Sequence, residues 1–139
     1  MAHRLDILHR LQSRLLEIVG TGLPLIPSSK KDADLAGLAH LRGEMVDAML
    51  AYARHVDERV LPAAEATGDA EQLRRARDLK AGCAALEDTY RVFQERWAYR
   101  DGLSNWPEYR LSAIVMMKQF RDHVRATSAK PAVAGRPAT

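Results

Sequence analysis

The chain has 139 residues, which suits one domain with one sizeable core, and its 47% hydrophobic and 28% charged residues are ordinary globular usage. The net charge is +3, but 21 cationic side chains are interleaved with 18 acidic ones, and the densest basic patch (Arg74, Arg75, Arg77) runs straight into Asp78. That pattern reads as a solvated helix face and lacks the one-sided basic surface of a nucleic-acid binder.

The single cysteine, Cys83, excludes an internal disulfide and fits a cytoplasmic protein. The opening "MAHRLDILHRLQ" is too charged for a secretory leader, and no stretch approaches the roughly 18 apolar residues of a membrane span.

Helical periodicity dominates. The first helix is expected over about Ala2 to Val19, with Leu8, Leu11, Leu15 and Ile18 on one stripe and Gly20 and Gly22 ending it. "GTGLPLIPSSKKDAD" reads as a loop. Asp34 is placed to cap a second helix from about Leu35 to Ala66, whose stripe is Leu38, Leu41, Met45, Met49, Tyr52 and Val56, with a distortion at Pro62. Gly68 suits a left-handed helix end, and Asp69 with Gln72 opens the third helix, Ala70 to about Tyr99. Its stripe of Ala76, Leu79, Cys83, Leu86, Tyr90, Phe93 and Trp97 keeps strict 3, 4 spacing, the seam of a left-handed bundle. After the turn "RDGLSN", Asn105 and Glu108 form an expected capping box with Pro107 in the first turn. The fourth helix then runs to about Thr127, with Tyr109, Ala113, Met116, Phe120 and Val124 on one face. Residues 1–127 are expected to form a single all-α domain, an antiparallel up-down four-helix bundle, and 128–139 a flexible tail rich in Pro, Ala and Gly.

The segment "HVDERVLPAAEATGD", a charged helix ending in "FQERW", and "NWPEYR" opening the last helix resemble the hemerythrin-like (His-His-Glu cation-binding) bundles over roughly Leu35 to Arg125. The resemblance implies a non-haem di-iron centre used for oxygen binding, sensing or iron handling. It implies a His and a Glu at i, i+4 on the inner face of the second helix, two inward histidines on the third, and a His with a carboxylate five residues on in the fourth. The inner i, i+4 pair here is Tyr52 and Val56. His55 is turned about 80° to the flank, near Asp57 or Arg59, and Glu58 about 140° to solvent. The third helix has no histidine and presents Leu79, Cys83 and Leu86. The fourth keeps His123 near its inner face, with Ser128 where a carboxylate would follow. His55, Glu58 and His123 are therefore the remaining metal candidates, too few for the iron the family would carry, and no cofactor is expected. His123 reads more simply as a partly buried histidine hydrogen-bonded within the bundle.

"AHLRGEM" is similar to the signature of histidine phosphotransfer domains, an exposed His followed by a cation and Gly. Here His40 precedes Arg42 and Gly43 one residue too closely, and Arg42 lies about 160° around the helix from it. No phosphate loop, nucleophile elbow or His-Glu-x-x-His is present, and Cys83 and the Met45, Met49, Met116 and Met117 side chains read as core. Leu111, Ile114 and Val115 form a second apolar side on the last helix, to be met by a dimer partner or by "LPLIP". The expected role is non-catalytic: a binding or regulatory protein with an unidentified protein partner, or a homodimer. A metal-binding sensor and a phosphotransfer protein are the alternatives.

Overall fold

The computed structural model describes residues 2–102 and 104–134. It is all-α, with no strand among the described residues and four long helices packed together. No helix among the described residues is long and apolar enough to cross a membrane.

Helix α1 (Ala2–Gly22) packs on α2 (Leu35–His55) and on α5 (Trp106–Ala134), while α4 (Ala70–Trp97) packs on α2 and α5. The four thus enclose one core, with α3 (Leu61–Thr67) continuing α2 and lying on α4. Tyr52 and Phe120 are its largest fully buried side chains. Burying a side chain of that kind contributes about 1.5–3 kcal/mol.

Two of the expected starts form as described. Asp34 Oδ1 accepts from the Gly37 N–H at 2.8 Å, and Asp69 Oδ1 accepts from Glu71 and Gln72 N–H. Gly68 has φ 72°, the left-handed conformation that ends α3 without a Cβ clash.

Other boundaries differ. Helix α1 runs through Gly22 into a 3-10 turn at Leu23–Leu25 instead of stopping near Val19. A Cβ at Gly22 would lie 2.8 Å from Leu41 Cδ2 and Met117 Sδ, so the glycine allows α1 to end against its neighbours. The capping box at Asn105 does not form. The Asn105 N–H already bonds the Asp101 carbonyl, and Glu108 is drawn away to Arg96 and Arg100. Helix α5 continues beyond Thr127 to Ala134, so the expected domain boundary falls inside a helix; Ser128 Oγ donates to Gln12 Oε1 at 2.8 Å and ties that turn to α1. Residues 135–139 of the expected tail lie outside the described residues.

The distortion before Pro62 is a π-helical turn over Val56–Val60. Proline has no N–H to give and its ring crowds the carbonyl four residues back, so the wider turn takes up the misfit before α3 resumes.

"LPLIP" covers a different part of the bundle from the one the second apolar side needed. Ile26 is buried, and the loop is held by Trp106 Nε1 donating to the Pro27 carbonyl and Arg110 Nε to that of Ile26, both at 2.9 Å. Ile114 packs partly on the core, while Leu111 and Val115 remain 63% and 48% exposed.

Candidate functional site

A hydrogen-bonded polar cluster occupies the interior where the four helices meet. Gln12 from α1 is buried on the apolar face, one turn from Leu8 and Leu15. Its Nε2 donates to the Tyr52 hydroxyl at 3.1 Å and to Thr127 Oγ1 at 2.9 Å. Tyr52 of α2 is fully buried, and its hydroxyl lies 2.7 Å from His123 Nε2 of α5. Gln12 supplies the Tyr52 oxygen with a donor, and the His123 tautomer sets which way the Tyr52–Nε2 bond runs. The Tyr52 and His123 rings meet edge-on at 5.6 Å. Cys83 of α4 lies within hydrogen-bonding reach of the same phenol.

Burial dominates the electrostatics. It pushes the Tyr52 phenol well above its ordinary value and the Cys83 thiol up to about 12, with Glu87 adding to the latter and Tyr52 opposing it. It lowers His123 below the usual histidine value. At neutral pH the cluster therefore holds a phenol, a thiol and an uncharged imidazole, with neither a thiolate nor a phenolate among them. Among the described residues no buried side-chain N or O lacks a partner.

The lowered His123 value makes stability depend on pH. Above about pH 6.5 both folded and unfolded chains carry the imidazole neutral, so it costs nothing there. As pH falls below that point the unfolded chain takes up the proton first, and stability declines toward the folded-state value. The melting temperature should accordingly be flat from about pH 8 to 7 and fall toward about pH 5, and His123→Gln should remove most of that slope in thermal unfolding.

His55 does not lie on the flank; it is 9% exposed. The buried residues of α2 follow a heptad (Leu38, Leu41, Met45, Ala48, Tyr52, His55), with Met49 alongside and Val56 following. A bundle helix keeps the seam of a left-handed supercoil, and that phase turns His55 inward where an unbent 3.6-residue stripe does not. Glu58 is exposed on the π turn, and Val56 is fully buried. Among the described residues no three His, Cys, Asp or Glu side chains gather as a metal-holding group. The residues do not fit a di-iron centre. His123 Nε2 already holds the Tyr52 hydroxyl, Val56 offers no donor, and Glu58 faces away.

At His40 the side chain is 77% exposed, but its Nε2 lies 3.7 Å from the Glu44 carboxylate. Glu44 is in turn held by Arg14 at 2.8 Å, and Arg42 donates to the Tyr109 hydroxyl at 3.2 Å. A phosphoryl group there would meet the Glu44 carboxylate first, and Arg42 is turned to Tyr109.

A second feature is a cleft of about 620 Å³ where the start of α2, the end of α4 and the α4–α5 turn meet. Phe93, Trp97, Trp106 and Tyr109 give it an aromatic surface, and Leu35 and Leu38 also line it. Tyr109 joins these rings, edge-on to Trp97 at 5.2 Å and stacked on Trp106 at 5.6 Å. Arg96 and Arg100 lie over Trp97 at 5.4 and 5.7 Å. Neither Gln12 nor this cleft follows from the motif reading. The signals for them are a glutamine interrupting an apolar stripe, and both tryptophans falling beside one turn.

Compared with known proteins, the chain matches no family model, no curated protein and no solved structure. Nothing in these comparisons identifies a hemerythrin-like family.

Proposed function

We propose that the chain is a non-catalytic binding or regulatory protein, an antiparallel up-down four-helix bundle of hemerythrin-like layout that carries no di-iron centre. The observation carrying this reading is the 2.7 Å bond between the Tyr52 hydroxyl and His123 Nε2 in the interior. The inner position that would serve a metal is used for a closed contact between helices, extended by Gln12 to Thr127 and Ser128. A bundle di-iron site takes about six carboxylate and histidine ligands, and a phenol bonded to an uncharged imidazole supplies one of them at most. The up-down arrangement is supported by the packing of α1 on α2 and α5 and of α4 on both, and by the short connection between α3 and α4. Room for a ligand lies at the end of the bundle, in the aromatic cleft.

Metal analysis and a visible spectrum of protein purified from iron-supplemented cells test the reading. The expected result is no stoichiometric iron and no visible band. Two irons per chain with an oxo-bridge absorption would overturn it in favour of an oxygen-sensing or iron-handling role.

A further inference from the structure

We infer that the cleft at the α4–α5 turn binds a small carboxylate with an apolar aryl or acyl body, its head on Arg42 and its body over the aromatic surface. This rests on the reading that the protein works by binding. The cleft has the size of a small-molecule site. Behind it lies a second, apolar space of about 30 Å³ walled by Leu41, Met45 and Met116, and both spaces share Leu38, Arg42, Phe93 and Tyr109. The Arg42–Tyr109 bond therefore lines both the open, partly polar cleft and the apolar space. An amphipathic ligand suits such a boundary, and a purely polar one does not.

The charges at the rim decide the sign of the head group. Glu95 is taken up by Arg91 at 3.0 Å, and Glu108 by Arg96 at 3.3 Å and Arg100 at 3.7 Å. Asp101 accepts from Ser104 Oγ at 2.6 Å. Arg42 differs: its partner is the neutral Tyr109 hydroxyl, and it forms no ion pair among the described residues. A guanidinium carries five N–H donors in a planar fork that matches a carboxylate. An incoming carboxylate would give Arg42 its counter-charge through a charge-assisted bond beside aromatic surface. The ligand body would meet Trp97, Trp106 and Phe93, whose faces accept aryl and alkyl groups alike.

The chain's two tryptophans, Trp97 and Trp106, both line the cleft, so tryptophan emission reports on it directly. Titration of the full chain with 4-phenylbutyrate should give a saturable change. The uncharged 4-phenylbutan-1-ol, of the same body, should bind about tenfold more weakly. Arg42→Gln should bring the acid down to the affinity of the alcohol. Arg42 is exposed, so unfolding of that variant should match the parent and the loss can be read as binding. Equal affinity for acid and alcohol, or an unchanged acid affinity in Arg42→Gln, would overturn the proposal. Absence of any saturable change overturns it too, and leaves the binding reading standing, because that reading fails on bound iron and not on this cleft.

Discussion

Tyr52→Phe is expected to lower the unfolding free energy by about 1–3 kcal/mol, and Tyr52→Ala by about 4 kcal/mol. The phenylalanine variant keeps the ring and removes one oxygen. That oxygen accepts from Gln12 and bonds His123 Nε2, so its loss leaves a buried amide hydrogen and a part-buried imidazole nitrogen short of a partner. The cost is the loss of those two bonds and the desolvation of the groups left behind, greatest for the buried Gln12 amide. The alanine variant also empties the volume of the largest fully buried side chain, and the four helices can collapse only partly into it. Chemical denaturation followed by circular dichroism measures both. A double-mutant cycle with His123→Ala should return a coupling of about 1 kcal/mol between the two side chains. A Tyr52→Phe variant as stable as the parent would mean that the cluster fills space without holding the helices together.

Gly82→Ala should change sign with its background. In an open helix interior, alanine is better than glycine by about 1 kcal/mol. At position 82 an added Cβ would stand 2.3 Å from His123 Cε1 and 2.6 Å from Nδ1, well inside contact distance. The ring is pinned from its other side by Tyr52 and cannot retreat without breaking that bond. Crowding a packed core in this way typically costs about 1–3 kcal/mol, so the substitution should be destabilising on balance in the parent chain. In a His123→Ala background the obstacle is gone, and the same Gly82→Ala change should stabilise by up to about 1 kcal/mol. Thermal unfolding of the four variants reads this reversal. Stabilisation in both backgrounds would show that His123 does not rest on α4 at this point.

Much of the secondary structure is legible because it depends on near neighbours. The stripe of α4 from Ala76 to Phe93 is buried at each of its positions, and Asp34, Asp69 and Gly68 act as their chemistry dictates. Where a local signal fails, a longer-range partner is responsible. Glu108 leaves the Asn105 cap for two arginines at the end of α4 and beyond, and Ser128 extends α5 by bonding to Gln12 on α1. For the interior, helical phase brings Tyr52 and Val56 inward, but it misplaces His55 because a supercoiled seam drifts from a straight-helix stripe over five turns. The π turn adds to this, since Pro62 announces a distortion without saying how the helix absorbs it.

From the sequence alone come the helical class, the element order, most caps and the shortage of metal ligands at the inner positions, since these follow from composition and residue spacing along one chain. Only the tertiary structure decides that Gln12, Tyr52, Cys83 and His123 share one interior cluster, because they come from four different helices and no spacing rule links them. The same holds for the cleft. Arg42 and Tyr109 stand 67 residues apart in the chain, and they meet because α2 and α5 reach the same end of the bundle.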